Sequence, residues 1–273
     1  MANPIGTEFA LVKKLLAWSE RATKQGLDIE ADELQPSVDD PVMMRRLVRY
    51  IQAGAPEFRV ARMAPVLPFE EPESHRKARE ILGAQNFHGV AAVQQHFGVY
   101  TETELAARRE IPFTEETLRE CALEFVLLAT HPLDLSGVHA AHPERFNDDP
   151  DDPWFARKEE REKWSSQTIT APWLLVRKKP LPDSWNKRID AQKTHIERFP
   201  KERLIEPCEN AYTGIVHYAE SGEKLCDGYV IRFAVQAAGG RWVGVCWVGG
   251  RLFLGYWSDG AYDVVASGSV RAS

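Results

Sequence analysis

Four side chains between residues 131 and 142 have the types and spacing of a metal-binding set: His131, Asp134, His139 and His142. Two histidines three residues apart can share one face of a helical turn, and a nearby carboxylate can complete a divalent-metal site. The order HAAH differs from HExxH, because no glutamate stands between the histidines to act as a base. His131 and His142 each precede a proline, which is also the pattern of an imidazole decorating a turn. If the four converge, the chemistry is metal-dependent hydrolysis, with a bound divalent metal as cofactor. Otherwise no cofactor is expected.

A second candidate is basic. Arg177, Lys178 and Lys179 are consecutive, Lys187 and Arg188 reinforce them, and Trp173 and Trp185 lie nearby. Cations beside aromatic rings suit phosphate or a nucleic-acid strand, while the plainer reading is a solvated turn. The acidic run Asp148, Asp149, Asp151 and Asp152 offers oxygens to calcium but lacks the order of an EF-hand loop, so a solvated loop is the simpler expectation.

Other signatures are missing. There is no G-x-S-x-G elbow and no phosphate-cradling glycine loop. Cys208 and His217 lie nine residues apart in one helical stretch, about two and a half turns, on different faces. The segment 90–107 has helix-turn-helix spacing, but its second helix opens TETEL, without the side chains that read bases.

The elements that must position these groups are clearest near the C-terminus. Gly239-Gly240, Gly249-Gly250 and Asp259-Gly260 recur at a ten-residue interval between runs rich in β-formers. That pattern predicts a four-stranded antiparallel meander over 229–270 with two-residue hairpins. Its register sets Trp242 opposite Trp257, Gly244 opposite Gly255 and Cys246 opposite Phe253, with Ala237 beside Trp242 and Val235 beside Gly244. One face is then wholly apolar, aromatic or glycine, and is expected to be buried beneath helices. A charge at Phe233 or Phe253 should then be severely destabilising. The glycine pair leaves a notch, and Trp242, Trp257 and Tyr256 are the residues of this sheet that could line an aromatic groove.

Upstream, helices are expected at 8–25, 41–52, 73–83, 87–97, 101–109, 114–123, 154–164, 183–198 and 207–222, and buried strands at 125–130 and 172–178. Residues 131–153 read as a long loop. The expected architecture is α+β: a mainly antiparallel sheet with a C-terminal meander covered by helices (57–273), plus an N-terminal helical segment (1–56). The chain has 273 residues, 44% hydrophobic and 27% charged, an ordinary globular composition. A net charge of −6 argues against general nucleic-acid binding. No run approaches the length of a membrane span, no secretory leader is visible, and the four cysteines show no C-x-x-C pair. A cytoplasmic setting is the expectation.

Three stretches, IPFTEETLREC (111–121), WLLVRKKPLPDSWNK (173–187) and YTGIVHYAESGEKLCDGYVIRF (212–233), resemble in their order a family of uncharacterised bacterial proteins. The resemblance spans roughly residues 85–270. It implies a shared architecture and carries no activity, cofactor or site residue. The loop with the three histidines departs from any family pattern. The expected function is non-enzymatic binding or interaction, through Trp242, Tyr256, Trp257, Arg177 and Lys178, with partner unknown. The alternative is the metal-dependent hydrolase of the 131–142 loop.

Overall fold

The structure is a computed structural model and describes residues 69–149 and 152–271. All of these fall in one unit of the chain, residues 66–273. The expected helices at 8–25 and 41–52 lie outside the described residues.

Among the described residues, eight helices accompany two sheets. The helices are α1 (Glu73–Leu82), α2 (Val90–Phe97), α3 (Glu102–Ala107), α4 (Glu115–Cys121), α5 (Leu135–Ala141), α6 (Lys158–Glu160, continued by a π-type turn at Arg161–Ser165), α7 (Ile189–His195) and α8 (Pro207–Ser221). The first sheet holds β1 (Phe87–His88), β2 (Phe125–Ala129), β3 (Trp173–Arg177), β4 (Glu202–Leu204) and β9 (Ser269–Arg271), in the order β1-β2-β3-β9-β4. Only the β1–β2 pair in it is parallel. The runs FVLLA and WLLVR are apolar almost throughout because every residue of β2 and β3 is buried. The second sheet holds β5 (Val230–Gln236), β6 (Trp242–Val248), β7 (Arg251–Trp257) and β8 (Val265–Ala266), in the order β7-β6-β5-β8. The α+β class is as expected from sequence.

Helix α8 joins the two sheets. Pro207 occupies its first turn, Glu206 and Glu209 form a reciprocal capping box, and Gly222 ends it in the left-handed conformation at φ 75°. Every residue from Pro207 to His217 is buried. The Tyr212 hydroxyl accepts from the His131 backbone N–H (3.0 Å) and donates to the Ala129 carbonyl (3.4 Å), at the end of β2. Gly214 lies against β6 and β7: a β-carbon there would sit 3.3 Å from the Trp247 ring and 3.8 Å from Leu252.

The meander has three strands, not four. At Gly249-Gly250 both residues are left-handed (φ 57° and 83°), and all the expected β6–β7 pairs form, from Val248↔Arg251 to Trp242↔Trp257. The β5–β6 loop is one residue longer than expected, since the Ala237 N–H donates to the Arg241 carbonyl. Gln236 therefore pairs with Trp242, and after an irregularity Arg232, not Val235, faces Gly244.

The expected hairpin at Asp259-Gly260 does not form. The buried Arg232 guanidinium instead captures the carbonyls of Ser258 and Gly260, each at 2.9 Å. The chain then returns on the far side, where β8 runs parallel to β5. It crosses to the first sheet at Gly268, where a β-carbon would come within 2.9 Å of Ile205 and 3.0 Å of Ile231.

In β6 and β7 burial falls on the opposite face from the one expected, whereas Phe233 of β5 is buried as expected. Val243, Val245, Leu252 and Leu254 are buried, while Trp242, Cys246, Phe253 and Trp257 are only half-buried. The glycine notch explains this. The Trp257 ring folds back over Gly244, 2.8 Å from where its β-carbon would stand, and Phe253 does the same over Gly255 at 2.9 Å. The aromatic side chains cover their own sheet, and the branched aliphatic face meets α8. Leu254→Ala should therefore cost about 2–5 kcal/mol, as expected for a large-to-small change in a packed core. Phe253→Ala should cost clearly less. Urea denaturation of the two variants checks the order, and a larger loss at Phe253 contradicts this assignment of faces.

Candidate ligand-binding groove

The four residues of the 131–142 segment each have separate partners. His131 stacks on Tyr100 (3.8 Å, 8° between planes), and its Nε2–H donates to the Gly98 carbonyl at 3.1 Å. Burial pushes its pKa down to about 4. Asp134 caps α5, accepting from the Gly137 N–H at 2.8 Å, and pairs with Arg161 at 3.3 Å. His139 is buried between Phe146 and Phe155. The His142 Nε2–H donates to the His96 carbonyl at 2.9 Å. Among the described residues, no group of three or more His, Cys, Asp or Glu is placed to hold a metal. The segment expected as loop contains α5, and Asp134 is its cap.

The sheet aromatics divide between the two faces. Trp242 lies under the Lys193 ammonium (4.2 Å to the ring centre), and Trp257 fills the glycine notch. Tyr256 shares the opposite face with Val243 and carries the Arg241 guanidinium at 3.5 Å. In the acidic run, Asp148 is half-buried, and burial pushes its pKa up to about 6.

The basic cluster splits in three, following the end of β3. Arg177 is buried and turned inward, where Glu202 accepts two hydrogen bonds (3.1 and 2.6 Å) and Glu124 a third. Its charge is engaged within the fold. Lys178 is partly exposed and donates to Asn86 Oδ1 at 2.9 Å, with Glu223 at 3.7 Å. Lys179 is exposed and forms no ion pair among the described residues. Trp173, at the other end of β3, is buried.

Lys178 and Lys179 open on a groove of about 1150 Å³, bounded by residues 123–124, 177–185 and 222–229. Trp185, 39% exposed, and Tyr229 stand 6.1 Å apart on it, and both also line an adjoining cavity of about 600 Å³. Lys224 adds a further cation, also without an ion pair among the described residues. Leu123, 89% exposed, sits at the rim.

The segment expected as a helix from 183 is helical only from Ile189. Asp183 and Asn186 adopt left-handed backbone, and the Lys187 carbonyl accepts from Arg232 at 2.6 Å. With Cys226 (φ 53°), Asp183 and Asn186 are the only non-glycine residues of positive φ among those described, and all three line one of the two cavities. Aspartate and asparagine tolerate that region; cysteine there costs about 1–3 kcal/mol and persists only where its surroundings hold it. Here the Cys226 N–H donates to the Lys178 carbonyl at 2.8 Å. Burial pushes the Cys226 thiol up to about 12.

Beneath the groove lies a feature the sequence reading missed. His88 Nε2 and His217 Nδ1 face each other at 3.0 Å, both rings buried. His217 Nε2 is 3.5 Å from Glu223, the same carboxylate that Lys178 approaches. The two histidines are 129 residues apart, so no spacing signal joins them.

Comparison with family models, with curated proteins and with solved structures returns no match. No helix among the described residues is long and apolar enough to cross a membrane.

Asp148 gives a pH-dependent test. Its folded pKa lies above the ordinary value of 3.8, so the carboxyl favours folding when protonated, and that contribution is lost as pH rises through about 6. Asp148→Asn should match the parent in stability below pH ~4 and exceed it by about 1 kcal/mol at pH ~8, a figure discounted for solvent screening. Denaturant midpoints across that range measure it, and a gap that shrinks as pH rises would refute it.

Proposed function

We propose that the protein is a non-enzymatic binding protein whose groove receives a phosphate-bearing ligand with a flat ring. The observation that carries this reading is the meeting, on one groove, of the partly exposed Trp185 with the ammonium groups of Lys179 and Lys224, neither in an ion pair among the described residues. An indole face accepts any aromatic ring by stacking, and paired cations favour a phosphate. Lys178 supplies a third ammonium, already oriented by Asn86.

The reading as a binder rather than an enzyme is supported by the state of the reactive groups nearby. The Cys226 thiol stays protonated at neutral pH, and His217 is fully buried, out of reach of a ligand. The turn after Trp185 is held by Arg232 through the Lys187 carbonyl, and the segments of Lys178 and Lys224 are tied by the Cys226 N–H to the Lys178 carbonyl, which suits a preformed site.

Calorimetric titration with a panel of nucleotides, sugar phosphates and inorganic pyrophosphate tests the proposal. Ring-bearing phosphates should bind more tightly than pyrophosphate. Trp185→Ala should weaken them by about 5- to 100-fold, the range for loss of one stacking contact. Lys179→Ala with Lys224→Ala should weaken every phosphate and flatten the salt dependence. No binding across the panel, or full affinity in both variants, rejects the reading.

A further inference from the structure

We infer that anion binding in the groove is coupled to the uptake of one proton by the buried His217, with Glu223 as the link. This rests on the reading of the groove as an anion site and adds its regulation by pH.

The linkage starts from one shared carboxylate. Glu223 Oε2 lies 3.7 Å from the Lys178 ammonium and 3.5 Å from His217 Nε2. Glu223 is 58% exposed on the groove, whereas His217 is 0% exposed. The other nitrogen of His217 meets His88 Nε2 at 3.0 Å, so one proton bridges the two rings. In the tautomer where His217 Nδ1–H donates to His88, Nε2 of His217 is bare, buried and without a hydrogen-bond partner. A proton arriving from solvent by way of Glu223 can be added at that atom, and no heavy atom has to move. The 3.5 Å contact then becomes an ion pair, and the bridge to His88 is kept.

The charges around His217 set the direction. Burial opposes its protonation, Glu223 favours it, and Lys178 opposes it. His88, on β1, cannot take the charge in its place: burial, with His217 and His96 as neighbours, pushes its pKa down to about 3. His96, on α2, is held by Glu220 at 2.6 Å, beside the same end of α8. An anion seated on Lys178 neutralises the cation that opposes protonation and competes with Glu223 for that ammonium. Glu223 then takes its counter-charge from His217. By linkage, lower pH must tighten anion binding by the same factor.

The test uses the full chain and adenosine 3′,5′-cyclic monophosphate, whose single charge is constant between about pH 5.5 and 8. Calorimetry in two buffers of different ionisation enthalpy reads proton uptake directly. The parent should take up a measurable fraction of a proton and bind about 5- to 10-fold more tightly at the acid end of that range. Glu223→Gln, a change at an exposed site, should abolish both effects while still binding the probe. Binding without proton uptake, or an unchanged pH slope in Glu223→Gln, overturns the coupling. If the probe fails to bind at any pH, the groove reading falls, and a second measurement decides the coupling alone. The His217 ring signals, followed by NMR, should titrate at higher pH in Lys178→Met than in the parent. An unmoved midpoint overturns the inference.

Discussion

The fold depends on burying one helix between two sheets. Eleven consecutive residues of α8, from Pro207 to His217, are removed from water, so the helix has no solvent face over that length. Two features make this possible. Gly214 lets the helix backbone approach the Trp247 ring, and Tyr212 supplies a hydroxyl where the end of β2 has polar groups to satisfy. The same burial fixes the floor of the groove. It carries His217 to His88, and Gly222 turns the chain out so that residues 222–229 form the groove margin.

Buried arginines shape the surface from inside. Arg232 is 1% exposed and is held by Gln192 and by the carbonyls of Lys187, Ser258 and Gly260. A charge in that position is costly to leave unsatisfied, so the loops that supply its acceptors are strongly tied to it. One of those loops leads into Trp185 and the other stops the meander after three strands. Arg177 acts similarly at the end of β3, between Glu202 and Glu124. Each buried guanidinium thus sets the course of loop segments that line the cavities.

These facts mark what was legible in the sequence. The β6–β7 register was legible because Gly249-Gly250 determines it locally, and α8 because its proline start and glycine stop are local as well. Which face of the meander is buried was not: both faces are rich in apolar residues, and alternation alone does not distinguish an aromatic that covers its own glycine from one that enters a core. The return of β8 beside β5 depends on Arg232, a residue 26 positions from the nearer carbonyl it captures, so no turn dipeptide records it. Asp134 had a local signal, an aspartate three residues before a glycine N–H it accepts from, and it marked a helix start more directly than a metal ligand. Of the residues expected to bind, Lys178 is partly exposed on the groove, whereas Arg177 at its edge is buried and turned to Glu202, a difference that follows from alternation at the strand end.

The proposed anion site is physically consistent with a net charge of −6 once distance is considered. Exposed charges farther apart than about 8–10 Å are largely screened at physiological salt, so local composition governs the encounter. In the groove, Glu124 is engaged with Arg177, and Glu223 is shared by Lys178 and His217. Lys179 and Lys224 remain, with Asp227 as the carboxylate nearest in sequence that lacks a partner among the described residues. On the proposed reading, the net charge of −6 weighs more against a long polyanion, whose charges extend beyond the local cations, than against a short phosphate-bearing ligand.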